Sequence, residues 1–165
     1  MTDRLTIALA QMNQRVGDLE GNAAGILAMR EHAAGADLIM VPELQLTGYP
    51  REDLVLQPEF VRRTMEAAER LVDATASPGP ALLFGSILNE GGLNYNVMIL
   101  AEGGRVIARV LKRELPNYGT FDEKRVFASA PLPEPTEFRG VKIGVPICED
   151  IWQDVVCSHL ADAGA

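Results

Sequence analysis

The chain predicts an α/β fold, and two patterns carry that expectation. A short strand, a helix and a second short strand follow one another within residues 5–41, and three further strands separated by glycine pairs come after a second helix. With 165 residues, 47% of them hydrophobic, the chain is long enough for one domain with its own core and too short for two of ordinary size.

Residues 5–10 alternate in polarity and read as the first strand, followed by a polar loop through Gly17 and Asp18. Asn22 is expected to cap a helix in which Ile26, Met29 and Ala33 recur at helical spacing, with Gly35 closing it. Residues 38–41 are continuously apolar, as in a buried strand, and Pro42-Glu43-Leu44 follows at once. After the loop at Thr47-Gly48-Tyr49-Pro50, a second helix is predicted over 60–76 from the spacing of Met65, Ala68, Leu71 and Val72. Pro78-Gly79-Pro80 breaks it. Strands are then expected at 81–87, 95–101 and 105–110, with Gly91-Gly92 and Gly103-Gly104 as hairpin turns.

The stretch 112–127 is polar, carries aromatics and has no period, as a functional loop often does. Pro131, Pro133 and Pro135 stiffen the segment that follows, a strand is predicted at 141–147, and Val155, Val156, Leu160 and Ala163 suggest a last helix. A helix of an α/β pattern normally leads into another strand, so the sheet is expected to be incomplete within these residues.

Fifteen basic against 23 acidic side chains give a net charge of -8 without a basic cluster, which argues against nucleic acid or an anionic membrane as partner and favours a small polar substrate. Apolar stretches fall short of the roughly 20 residues that span a bilayer. Two cysteines and no secretory signal pattern point to the cytoplasm.

Cys148 stands where Val145 and Ile147 end and Glu149 and Asp150 begin, a place where catalytic groups are displayed; the alternative is a core cysteine. Glu43 and Lys112 also directly follow predicted strands, and groups at the carboxyl ends of strands can converge on one rim. Cys148, Cys157 and His159 lack paired zinc-ligand spacing, so no metal site is expected. His32 reads as an exposed or satisfied helix residue, Cys157 as core, and the glycine pairs lack the ending of a phosphate loop.

Pro42-Glu43-Leu44, Lys112 with Leu-Pro-Asn-Tyr-Gly-Thr-Phe-Asp-Glu at 115–123, and Ile147-Cys148-Glu149-Asp150-Ile151-Trp152 together resemble the nitrilase superfamily of carbon-nitrogen hydrolases, from residue 7 to the last. The 115–123 motif is similar to the branch that forms the glutaminase domain of glutamine-dependent NAD synthetases. The resemblance implies the N-terminal part of a nitrilase-like α-β-β-α sandwich, with residues 1–165 a partial glutaminase domain and the ATP-dependent synthetase domain outside this chain. It implies a triad of Glu43 as base, Lys112 as oxyanion partner and Cys148 as nucleophile. Tyr118 and Glu123 fall on substrate-pocket positions, with Glu123 holding either the glutamine ammonium or Lys112; the alternatives are a loop aromatic and a solvated charge. Glutamine as substrate, a synthetase domain as ammonia acceptor and a homo-oligomer follow from the same resemblance. No cofactor is implied for the glutaminase step, and ATP and magnesium only for the synthetase domain. A free-standing amidase or nitrilase, or an inactive nitrilase-like interaction module, remains an alternative on the motifs alone.

Overall fold

The computed structural model describes residues 4–50 and 52–165. A five-stranded mixed sheet forms from β1 (Ile7–Leu9), β2 (Leu38–Met40), β3 (Ala81–Glu90), β4 (Leu93–Glu102) and β5 (Arg105–Leu111), in that spatial order. β1, β2 and β3 run parallel, joined through α1 (Leu19–His32) and α2 (Pro58–Ala74), whereas β3, β4 and β5 form an antiparallel meander. The switch follows connection length: helical crossovers return the chain parallel, and two-residue turns can only reverse it. In those turns Gly91 and Gly92 adopt φ 59° and 79°, and Gly103 and Gly104 φ 60° and 75°, the left-handed geometry of a tight hairpin. The expected α/β architecture is therefore present.

Alternation along the strands sorts the core into two faces. Ile39, Leu82, Phe84, Val97, Ile99 and Ala101 pack against Ile26 of α1 and Ala67, Ala68 and Leu71 of α2. Leu38, Ala81, Leu83, Met98, Leu100 and Val110 face the other way, against Phe138 and Ile147. Among the described residues no helix is long and apolar enough to cross a membrane.

Several local expectations change. Asp18, not Asn22, caps α1, its carboxylate accepting from Gly21 N at 2.9 Å. Asn22 is instead a buried latch: its Nδ2 donates to Arg15 O and Leu46 O at 2.7 and 3.0 Å, and its Oδ1 accepts from Arg15 N at 2.9 Å. A spare amide with both donor and acceptor can tie two loops together, which a cap position does not use. The strand expected over 141–147 is only β7 (Val141–Ile143), paired antiparallel with β6 (Thr136–Phe138) in a separate two-stranded ribbon. Val145 and Ile147 pack against the sheet without joining a ladder, and apolar alternation cannot separate these two outcomes. α3 (Asp154–Asp162) follows as expected.

Arg30 shows how the chain closes behind α2. It is buried, and its guanidinium donates to Pro80 O at 2.8 Å, Ser77 O at 2.9 Å and Ala74 O at 3.4 Å, tying α1 to the end of α2 and the turn that follows it.

Candidate active site

The sheet order brings the ends of β2 and β5 to one rim. β5 runs antiparallel to β4 and hence in the direction of β3 and β2, so Glu43, three residues past β2, and Lys112, one past β5, leave the sheet on the same side. The Lys112 N–H donates to Asn96 O at 2.9 Å, continuing the β4–β5 ladder by one step, which sets Lys112 opposite Asn96. By alternation Gly85, Asn96 and Lys112 share the face turned away from the helices.

Gly85 admits the Glu43 turn. A Cβ there would lie 2.1 Å from Leu44 N and 2.8 Å from Glu43 Cα, so the backbone crosses β3 where a side chain would stand. Leu46 N donates to Gly85 O at 3.2 Å, and Leu44 takes φ 51°. The turn is held tightly against the sheet, and Glu43 is aimed across it.

At the centre lies Lys112, fully buried. Its Nζ donates to Glu43 Oε1 at 2.7 Å and to Glu123 Oε2 at 2.9 Å. Burial alone would lower its pKa, but the charges of Glu43 and Glu123 and their hydrogen bonds outweigh it and hold the ammonium above its ordinary value. Lys112 is thus a fixed cation. Asn96 Nδ2 donates to the same Glu43 Oε1 at 2.6 Å. Glu123 reaches the site from a 3₁₀ turn, Glu123–Arg125, anchored by Glu123 N to Pro116 O at 3.1 Å. Of its two expected roles, Glu123 takes the contact with Lys112.

Cys148 enters differently from the expectation of a strand exit. It opens a 3₁₀ turn, Cys148–Trp152, five residues beyond the end of β7, and has φ 48°. This left-handed residue turns the chain sharply and leaves Cys148 exposed, so it is not a core cysteine. Desolvation first, then the negative charge of the nearby Glu43, push the thiol pKa up to about 11, against the opposing pull of Lys112. The raised pKa favours the thiol form of Cys148 at rest.

Asp150 fastens the elbow to the Lys112 strand. It is fully buried; its Oδ2 accepts from Ile147 N at 2.9 Å and its Oδ1 from Glu114 N at 2.7 Å, across 36 residues. Burial raises its pKa despite these donors. The Cys148 and Glu149 N–H groups open the turn and lack partners within it, which makes them candidate oxyanion donors.

Tyr118 is exposed and its hydroxyl donates to Glu149 Oε2 at 2.8 Å, beside the elbow; this bond first, then desolvation, raises its pKa. Tyr118 also meets Phe121 edge to face at 5.5 Å between centroids. The pair of Tyr118 and Glu149 gives the mouth of the site an acceptor for a cationic group. Cys157, half-buried, directs its thiol to Asp150 O, and His32 bonds Ala28 O on its own helix. Among the described residues no cluster of His, Cys, Asp and Glu could hold a metal ion. An apolar groove lined by Met65, Val72, Ile87, Ile99 and Val106 contains none of Glu43, Lys112 and Cys148.

A fold with this sheet and a Glu, Lys and Cys convergence defines a class: residues 6–165 match the carbon-nitrogen hydrolase family, to which the chain belongs. It is 46% identical over its whole length to the glutamine-dependent NAD(+) synthetase of Rhodobacter capsulatus and covers 30% of that protein. The structure superposes on that of the glutamine-dependent NAD(+) synthetase of Acinetobacter baumannii with a TM-score of 0.88 and 35% identity, covering 96% of this chain and 30% of the other. An amidase from Nesterenkonia, 26% identical with a TM-score of 0.86, is matched over 98% of this chain and 62% of its own. Its glutamate-to-glutamine mutant carries the acetamide moiety of fluoroacetamide covalently at the active-site cysteine. The chain spans about 30% of the length of the synthetases that it matches.

Proposed function

We propose that this chain is the N-terminal part of a glutaminase domain that releases ammonia from the glutamine side chain for ATP-dependent amidation of deamido-NAD by a synthetase domain. The observation that carries it is the buried Lys112 held between Glu43 and Glu123 beside Cys148. In this reading ATP and magnesium belong to the synthetase domain, and the protein works in the cytoplasm as a homo-oligomer.

Sγ of Cys148 attacks the amide carbon while Glu43 takes the thiol proton; the C–S bond forms and the carbonyl electron pair moves to oxygen. The Lys112 ammonium and a turn N–H stabilise that oxyanion, each such donor contributing roughly 3 kcal/mol. Collapse expels ammonia, which receives the proton from Glu43, and leaves a γ-glutamyl thioester. Glu43 then deprotonates water for attack on the thioester, and glutamate departs as the thiol is restored. Tyr118 and Glu149 at the mouth suit the α-ammonium of the substrate.

The full-length protein is expected to make NAD from either glutamine or ammonium, and Cys148→Ala to lose only the glutamine-dependent reaction. Retention of glutamine use by that variant ends the proposal. The likeness to the Nesterenkonia amidase favours one competing reading, a free-standing amidase; turnover of simple aliphatic amides in preference to glutamine would establish it.

The same mechanism predicts a separation in Glu43→Gln. Removing the anion and acceptor beside Cys148 brings the thiol pKa down from about 11. Glutamine turnover nevertheless falls by roughly 100-fold to 10,000-fold, because the general base is gone. Thiolate absorbance followed against pH in a Cys157→Ser background reads the first effect. A thiol pKa that stays put or rises contradicts it.

A further inference from the structure

Glu43 has two carboxylate oxygens, and only one of them is bound by neighbours on the sheet. Oε1 takes Lys112 Nζ at 2.7 Å and Asn96 Nδ2 at 2.6 Å. Asn96 is fully buried on β4, and its backbone carbonyl also holds the Lys112 N–H at 2.9 Å. One residue therefore fixes the base through its side chain and the cation through its main chain. A buried asparagine whose Oδ1 has no hydrogen-bond partner among the described residues carries a desolvation cost that mere packing would not maintain.

We propose that Asn96 is a positioning residue for the base: its Nδ2 donation pins Glu43 Oε1, so that Oε2 alone faces the Cys148 proton. The proposal rests on the role assigned to Glu43 above. Two donors converging on one oxygen fix both the position and the plane of the carboxylate. With Lys112 alone, the carboxylate could rotate about that single contact and offer either oxygen. Rotation matters because a base must lie within hydrogen-bond reach of the proton it removes, and small misplacements carry large losses in rate. Tyr118 and Glu149, the groups assigned to the substrate ammonium, bond each other and not Asn96, so glutamine affinity is not expected to depend on Asn96.

The test uses the full-length protein and two variants, Asn96→Leu, which removes the donor, and Asn96→Asp, which keeps the shape but turns the donor into an acceptor. Both are expected to lower kcat for glutamine by roughly 10-fold to 100-fold with KM within about twofold. Asn96→Leu is also expected to speed alkylation of Cys148 by iodoacetamide at neutral pH severalfold, since a carboxylate that no longer faces the thiol holds its pKa up less. Alkylation needs no substrate, so it judges Asn96 even if glutamine proves to be the wrong amide; loss of glutamine turnover in the unmutated protein would count against the function alone. If Asn96→Leu does not fold, Asn96→Asp decides by kcat and KM. Wild-type kcat and alkylation rate in a folded variant, with only its melting temperature lowered, would show a structural role and overturn the proposal.

Discussion

Lys112→Met is expected to remove about 3–5 kcal/mol of stability as well as glutamine turnover. Methionine matches the length of the lysine stem and fills its space, so packing is largely kept and the effect isolates the charge. In the native protein the ammonium neutralises two carboxylates, Glu43 at 2.7 Å and Glu123 at 2.9 Å, with side-chain exposures of 17% and 4%. Removing the cation leaves both without their shared partner, and the penalty is largest for Glu123, which water reaches least. The double variant Lys112→Met/Glu123→Gln is accordingly expected to regain a large part of the lost stability, because the buried carboxylate that has lost its cation is neutralised, and to regain none of the activity. Chemical denaturation of the two variants beside the wild type measures the coupling. Equal midpoints for the single and double variants would show that Glu123 is not stabilised by Lys112.

The same cluster explains what the sequence could and could not reveal. Glu43 stands two residues beyond the apolar run 38–41 and Lys112 one beyond Leu111, where a charge is conspicuous, and Cys148 borders Glu149 and Asp150 in the same way. Boundaries of this kind mark the rim of a sheet. Asn96 carries no such mark: between Tyr95 and Val97 it reads as one more polar position of an alternating strand, and only the β4–β5 register sets it opposite Lys112. Asp150 was visible as a carboxylate next to the cysteine, but its link to Glu114 N is a tertiary contact across 36 residues that no local pattern encodes. The over-long strand at 141–147 arose because alternation reports which side chains are buried, not which backbone groups are paired. The nearby β6, preceded by Pro131, Pro133 and Pro135, was missed because prolines disfavour a ladder where they stand while leaving the following residues free to form one.

Gly85→Ala is the second change expected to be severe, and it acts through backbone alone. The new Cβ would stand 2.1 Å from Leu44 N, 2.7 Å from Glu43 C and 2.8 Å from Glu43 Cα. None of these atoms belongs to a side chain that could swing aside, so the turn must lift from β3 or β3 must sink. Lifting is opposed by the Leu46 N to Gly85 O bond at 3.2 Å and by burial of Leu44, which ties the cost in stability to about 1–3 kcal/mol. For activity the displacement is worse. Glu43 reaches Lys112 and Asn96 through bonds of 2.7 and 2.6 Å, and a shift of its Cα on the order of 1 Å breaks that alignment, for a fall in kcat of roughly 100-fold. Gly91→Ala supplies the contrast. Its Cβ meets nothing within 4 Å, but its φ of 59° strains a side chain, so it should lose stability and keep kcat. Measuring kcat and the unfolding midpoint for both variants separates a glycine needed for close approach from one needed for its turn. A Gly85→Ala protein with wild-type kcat would mean that the Glu43 turn can move without disturbing the base.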